Sequence, residues 1–372
     1  MLRFLGFGHP YGARRLAAAA VSRRRSRVRI RTRVRIRLML GFALAVMACT
    51  AAAAAAAAPA APPPSPRPAS KAEPDKGFPM RIVAYVANSG SGTASSFDVR
   101  LERPVTTTPV GSGPTGVGAA PDGSHVYVAN GLSDSVTFIE TTSHKAVATV
   151  PVGSYPFSAF PSRDGSQVFA ANWGSDNVSV IDTASRKVIA TPAVGELPHS
   201  VATLPDGTTL VTNSGTNNVT VLSKTYEPVA QIPVGDFPSG IVATVKGDRV
   251  YVANTGSGSI SAIDPVTRKV VATWPVGKAP LGLGVSPDGR RLYAADSGAD
   301  SLLVIDTATG GVLSQVPVGK TPQGVAVSPG GSRVWVTNED SDTVSVIDPT
   351  LTKVRVTLRT GHNPEGIAIS PR

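Results

Sequence analysis

Residues 276–318 read Val-Gly-Lys-Ala-Pro-Leu-Gly-Leu-Gly-Val-Ser-Pro-Asp-Gly-Arg-Arg-Leu-Tyr-Ala-Ala-Asp-Ser-Gly-Ala-Asp-Ser-Leu-Leu-Val-Ile-Asp-Thr-Ala-Thr-Gly-Gly-Val-Leu-Ser-Gln-Val-Pro-Val. Leu281 to Val285 is a short apolar run, Pro287-Asp288-Gly289 is a hairpin turn signal, and Arg291 to Ala295 is a second run. Ser297-Gly298-Ala299-Asp300 turns the chain into Ser301 to Ile305, and Asp306-Thr307-Ala308-Thr309-Gly310 leads into Val312 to Val318. The stretch therefore predicts four antiparallel strands. Leu302, Leu303, Val304 and Ile305 are apolar in succession, as in a sheet covered on both faces.

The unit recurs along the chain. Tyr85-Val86-Ala87-Asn88 returns as Tyr127-Val128-Ala129-Asn130, Phe169-Ala170-Ala171-Asn172, Leu210-Val211-Thr212-Asn213, Tyr251-Val252-Ala253-Asn254, Tyr293-Ala294-Ala295-Asp296 and Trp335-Val336-Thr337-Asn338. The steps are 42, 42, 41, 41, 42 and 42 residues. Val-Gly-x-x-Pro recurs in phase from Val110, Val152, Val194, Val234, Val276 and Val318, with a seventh copy at Thr360-Gly361. Stacked four-stranded units of this period predict an all-β, seven-bladed β-propeller over residues 81–372. The last copy stops at Gly366-Ile367-Ala368-Ile369-Ser370, a first strand with no successor. The body begins at Arg81-Ile82-Val83-Ala84-Tyr85, a second strand with no predecessor. The closing blade is therefore expected to be shared by both ends of the array, which removes open sheet edges.

These motifs, with Ser-Pro-Asp-Gly and Val304-Ile305-Asp306, resemble the YVTN family of β-propeller repeats. The resemblance covers roughly residues 81–372. It implies a seven-bladed propeller, often exported, in a family that includes surface-layer and binding proteins and implies no single activity.

Ahead of the repeats lies a leader, residues 1–58. It holds twelve arginines between Arg3 and Arg37 and no acidic residue before Glu73. Removing those twelve from the net charge of +11 leaves the remainder at −1. The body thus lacks the basic footprint that phosphate binding needs, and nucleic acid is not expected as a partner. Charged residues make up 16% of the chain against about 25% in a typical domain, while Gly (37) and Pro (32) are abundant, a profile of many short strands and turns.

From Leu38 the leader turns apolar and reaches Cys49 and an alanine run to Ala58, the layout of an export signal. Three endings stay open. Val46-Met47-Ala48-Cys49 resembles a bacterial lipobox with lipidation of Cys49; a peptidase can cut within Ala51 to Ala58; or the stretch from Leu38 can remain as a membrane anchor. Residues 59–80, rich in Pro and Ala, read as an extended linker. The expected location is extracytoplasmic, with the membrane touched only through the leader and the propeller a monomer.

In such a propeller the Val-Gly-x-x-Pro loops and the loops after each Asn share one face around the channel mouth. The residue after the motif proline varies within a constant frame: Thr115, Phe157, His199, Ser239, Leu281, Gln323 and Glu365. Neighbouring variable positions add Tyr155, Glu196, Asp236, Phe237, Lys278, Lys320 and His362, and the second loop set adds Trp173 and Glu339. Each of these taken alone can be an ordinary loop residue. Together they form a set of aromatics, carboxylates, lysines and two histidines that suits a small molecule, glycan or protein ligand.

The seven Asn or Asp residues that end the second strands repeat too faithfully for a ligand site and are read as structural turn formers. The Asp-Gly pairs at 122, 164, 206 and 288 are read as hairpin turns on the opposite face. His199 and His362 fall in different units, no cysteine remains in the body, and no G-x-S-x-G or H-E-x-x-H motif occurs. No metal, cofactor or catalytic residue is therefore expected. The first functional expectation is a non-catalytic binding propeller. The alternative is a lactonase-type hydrolase resembling 6-phosphogluconolactonase-like propellers, with His199, Glu196 or Glu365 as base and Lys278 and Lys320 around the substrate. A redox propeller holding haem or a quinone ranks last.

Overall fold

The computed structural model describes residues 82–348 and 353–370. The leader, Cys49 and the linker expected at 59–80 lie outside the described residues. Among the described residues no helix is long and apolar enough to cross a membrane.

Among the described residues twenty-eight strands form seven four-stranded antiparallel sheets. In the unit that decided the fold, the strands are Pro280–Val285, Arg291–Asp296, Ser301–Asp306 and Val312–Pro317. Each agrees with its sequence expectation to within a residue. We number the blades in chain order from the closing one: blade 1 spans 83–109, and blades 2 to 7 span 114–151, 156–190, 198–233, 238–275, 280–317 and 322–359.

Blade 1 draws its innermost strand, Pro364–Ile369, from the far end of the chain and its other three from 83–109. The register pairs Ala84 with Ile369, Tyr85 with Ala368 and Val86 with Ile367. Ring closure thus rests on an antiparallel ladder whose receiving strand, Val83–Asn88, is buried at every position.

The second and third strands of each blade supply the core. Apolar residues occupy successive positions and pack into clusters that lie between neighbouring blades. Trp335, Tyr85, Tyr293, Phe97 and Phe138 are its largest fully buried side chains. Outer strands alternate exposed and half-buried residues, as Lys269–Pro275 does.

Two details of the repeat motifs follow from packing. The glycine of Val-Gly abuts the Asn or Asp that ends a second strand: a Cβ on Gly235 falls 2.7 Å from Asn254 Cγ, and one on Gly319 falls 2.6 Å from Asn338 Cβ. The Asn side chains are structural, as expected, but they do not bond their own backbone. Asn130 Nδ2 donates to Ser135 Oγ (3.1 Å) and Thr137 Oγ1 (2.9 Å) on the next strand, while its Oδ1 accepts the Gly111 N–H (3.0 Å). Asn88, Asn254 and Asn338 make the same pair of hydroxyl contacts, and all four are fully buried. In Asn130 and Asn338, whose Oδ1 also accepts a motif glycine N–H, the buried amide ties the motif loop to the middle of the blade.

The Asp-Gly pairs form the expected turns, with φ of +70° at Gly123 and +73° at Gly289. Asp122 and Asp288 each accept the N–H two residues on, from Ser124 (2.9 Å) and Arg290 (3.1 Å).

Candidate functional site at the channel mouth

The seven innermost strands stand side by side around a central channel. A second motif glycine lets them approach closely: a Cβ on Gly116 falls 2.6 Å from the Phe157 carbonyl oxygen, and one on Gly366 falls 2.5 Å from that of Thr115. Each strand starts at the motif proline, so the following residue stands at the lip, and the alternation of strand side chains sends every second residue inward below it. The result is a cavity of about 110 Å³. Thr115, Phe157, His199, Leu281, Gln323 and Glu365 line its upper part, above Val117, Ile241, Leu283, Val325 and Ile367.

The lip has two chemically distinct halves. On blades 3 and 4, Tyr155 stands 5.8 Å from Trp173 and 6.5 Å from Phe157 between ring centroids, and Phe157 lies 4.0 Å from the His199 imidazole. His199 is 8% exposed, its Nδ1 has no hydrogen-bond partner, and burial pushes its pKa down to about 3. It is a neutral imidazole at any ordinary pH.

The other half is acidic. Gln323 Nε2 donates to Glu339 Oε2 at 2.5 Å, and loss of solvation followed by the charge of Asp340 raises the Glu339 pKa. Glu365, on the closing strand, is pushed up to about 8 by desolvation and then by the charge of Glu339, against a hydrogen bond from Ser89. Tyr155 connects the halves: burial, then the charges of Glu365 and Glu339, raises its pKa.

Of the sequence candidates Thr115, Phe157, His199, Leu281, Gln323 and Glu365 line the cavity; Tyr155, Trp173, Glu339 and the remaining ones do not. Glu196, Lys278 and Lys320 are exposed and do not line it. The backbone N–H groups of Lys278 and Lys320 bond Asp296 and Ser341, so these residues serve as loop frame. His362 is 76% exposed and its Nδ1 lies 2.9 Å from Asp342 Oδ2. Phe237 sits beside the lip with φ +50°, outside the lining. No metal cluster occurs among the described residues.

Sequence reasoning passed over a further set. Asp134, Asp176, Asn217, Asp300 and Asp342 all adopt positive φ, and each accepts from a lip residue of the next blade: Tyr155 N (2.8 Å), Leu197 N (3.1 Å), Phe237 N (2.9 Å), Thr321 N (2.8 Å) and Asn363 N (2.8 Å). The signal was present, since these residues recur at the period of the repeat and Asp and Asn tolerate left-handed backbone. They latch neighbouring mouth loops together.

Arg163, in the turn at the opposite end of blade 3, reaches towards the two blades that follow. Its Nε donates to the Thr203 carbonyl (3.1 Å) and its Nη2 to that of Thr244 (3.0 Å), at the ends of the next two innermost strands.

Comparison with known proteins agrees with this architecture. The family model described as YNCE-like beta-propeller matches residues 80–209 and 209–329. No curated protein is matched. Among solved structures, a functionally unknown protein from Desulfotomaculum acetoxidans is 17% identical with a TM-score of 0.70, over 78% of this chain and 99% of its own. Kuenenia stuttgartiensis hydrazine synthase is 22% identical with a TM-score of 0.63, over 70% and 90% of the two chains. A protein of Bacteroides uniformis assigned to 6-phosphogluconolactonase is 16% identical with a TM-score of 0.66, over 78% and 99%. Likeness at these identities is a likeness of fold.

Proposed function

Starting from a chain that belongs to the YNCE-like β-propeller family, we propose that it is an exported, monomeric, non-catalytic binding module whose ligand enters the channel mouth. The observation that carries this reading is convergence. A rigid ring brings an aromatic cluster, a neutral histidine and two carboxyls to the lip of one cavity, the pattern of a small-molecule site. His199 at a pKa of about 3 is a poor general base near neutral pH, which favours binding over proton abstraction by that residue. The arginine-rich, apolar leader supports export and attachment at the membrane.

One observation favours a second reading. Glu365, with a pKa of about 8, holds a proton at neutral pH beside Glu339, and such carboxyl pairs serve as acid and base in hydrolases. Lactone hydrolysis is the form this reading takes. The exposed Lys278 and Lys320 do not line the cavity that the substrate would enter.

The test is a panel of amines, amino acids, sugars, carboxylates and lactones presented to the full chain, read by thermal shift and by Trp173 fluorescence. Ligands of one class should raise Tm and change the emission, and Phe157→Ala should abolish both responses. Lactone turnover that disappears in Glu365→Gln would replace the binding reading with the hydrolase. A panel without any response at the mouth would remove both.

A further inference from the structure

We infer that the cup at the channel mouth takes a small primary organic cation, its ammonium group held at the lip between the carboxyls and the aromatic rings and its alkyl portion directed down the channel. This rests on the reading of the mouth as a binding site and supplies the ligand class.

Charge and hydrogen-bonding capacity carry the inference. No lysine or arginine lines the cavity, Glu365 lines it, and Glu339 is hydrogen-bonded to the lining Gln323 and close enough to act on Glu365. The guanidinium of Arg163 is engaged by carbonyls at the other end of the ring. His199, which lines the cavity and is 8% exposed, is neutral, so it sets no like charge against a cation. Phe157 lines the cavity with the Tyr155 ring 6.5 Å from it, and aromatic rings attract a cation through their quadrupoles.

Shape decides the rest. Val117, Ile241, Leu283, Val325 and Ile367 make the lining mostly apolar, with Ser158 and Ser200 among them, so the several polar groups of a sugar or an amino-acid carboxylate would exceed the partners on offer. The volume of about 110 Å³ admits only a few heavy atoms, given that a cavity of about 150 Å³ takes one benzene.

Proton linkage follows from the same groups. Glu365 faces Glu339 of blade 7, itself beside Asp340, as well as Tyr155 of blade 3 and the Ser89 hydroxyl of blade 1. The cation prefers an ionised Glu365, so binding expels its proton. With a folded pKa of about 8, apparent affinity should be up to about 100-fold weaker at pH 6 than at pH 9, a range over which an alkylamine keeps its charge.

The probe is n-butylammonium, with n-butanol as a neutral partner of equal length, titrated into the full chain with Trp173 fluorescence and calorimetry. The expected result is butanol at least tenfold weaker, butylammonium at least tenfold weaker in Glu365→Gln, and affinity that rises between pH 6 and 9. Equal binding of the two probes, or binding indifferent to both Glu365→Gln and pH, overturns the cation. Failure of butylammonium while another class binds at the mouth overturns the cation and leaves the binding reading intact; failure of every class overturns both.

Discussion

His199 and Glu365 line the same cavity and are displaced in opposite directions by the same cause, loss of water. The histidine is held near 3 instead of 6.5 and the glutamate near 8 instead of 4.5. The unfolded chain binds a proton at His199 that the folded one refuses between about pH 3 and 6.5, so this residue makes stability rise with pH there. Glu365 keeps a proton that the unfolded chain releases between about 4.5 and 8, so its contribution is lost as pH rises through that window. The two slopes oppose each other from about 4.5 to 6.5. Denaturant titrations should therefore show a plateau in that interval and a decline from pH 6.5 to 8 of at most about 1.4 kcal/mol per unit, lessened by water in the half-open cup. Glu365→Gln should remove the decline, whereas His199→Phe should turn the plateau into a downward slope. Neither shift could be read from sequence. The positions after the motif proline were visible as variable lip sites, but burial, and the approach of Glu339 of blade 7 to Glu365 of the closing strand, are made by packing between blades.

Among the elements, the loops were the least legible. Strand number, order and ends followed from a hydrophobic pattern that repeats seven times, with turn residues fixing the boundaries in every copy. What the repeat also encodes, and what local pattern cannot display, is contact between copies. Asp134 belongs to one blade and the N–H it receives, from Tyr155, to the next. Asp134→Ala should cost about 1 kcal/mol, because the bond is partly solvated, and should shift Trp173 emission through the Tyr155 ring 5.8 Å away. Asp134→Asn keeps the acceptor and should leave emission and stability unchanged. Lys278 and Lys320 share the variable loop with Leu281 and Gln323, three positions on, yet their side chains are exposed while Leu281 and Gln323 line the cavity, a difference that spacing along a turn does not display.

For the whole molecule, closure and site are one structure. Pro364–Ile369 both completes blade 1 and carries Glu365. A chain ending at Asn363 would leave Val83–Asn88 as an unpaired apolar edge and open the channel along its length. Such a truncation should aggregate or elute with an expanded radius in size-exclusion chromatography, while the untruncated chain should do neither. A seam drawn from both termini was deducible because the half-units at each end are complementary; that the seam strand would bring a carboxyl of the site was not.

The guanidinium of Arg163 bonds carbonyls at the far ends of the innermost strands of blades 4 and 5, and a ring closed there would be a vessel and not a tube. A tube lets solutes pass through, but a vessel fills and empties by one opening, so a bound molecule leaves only by retracing its entry and residence time is set at the lip. A homologous series of alkylammonium ions should accordingly gain affinity with each methylene until the chain reaches that end, then lose it abruptly. In Arg163→Ala that cut-off should move to longer chains, and dissociation of the short ones should quicken as a second exit appears.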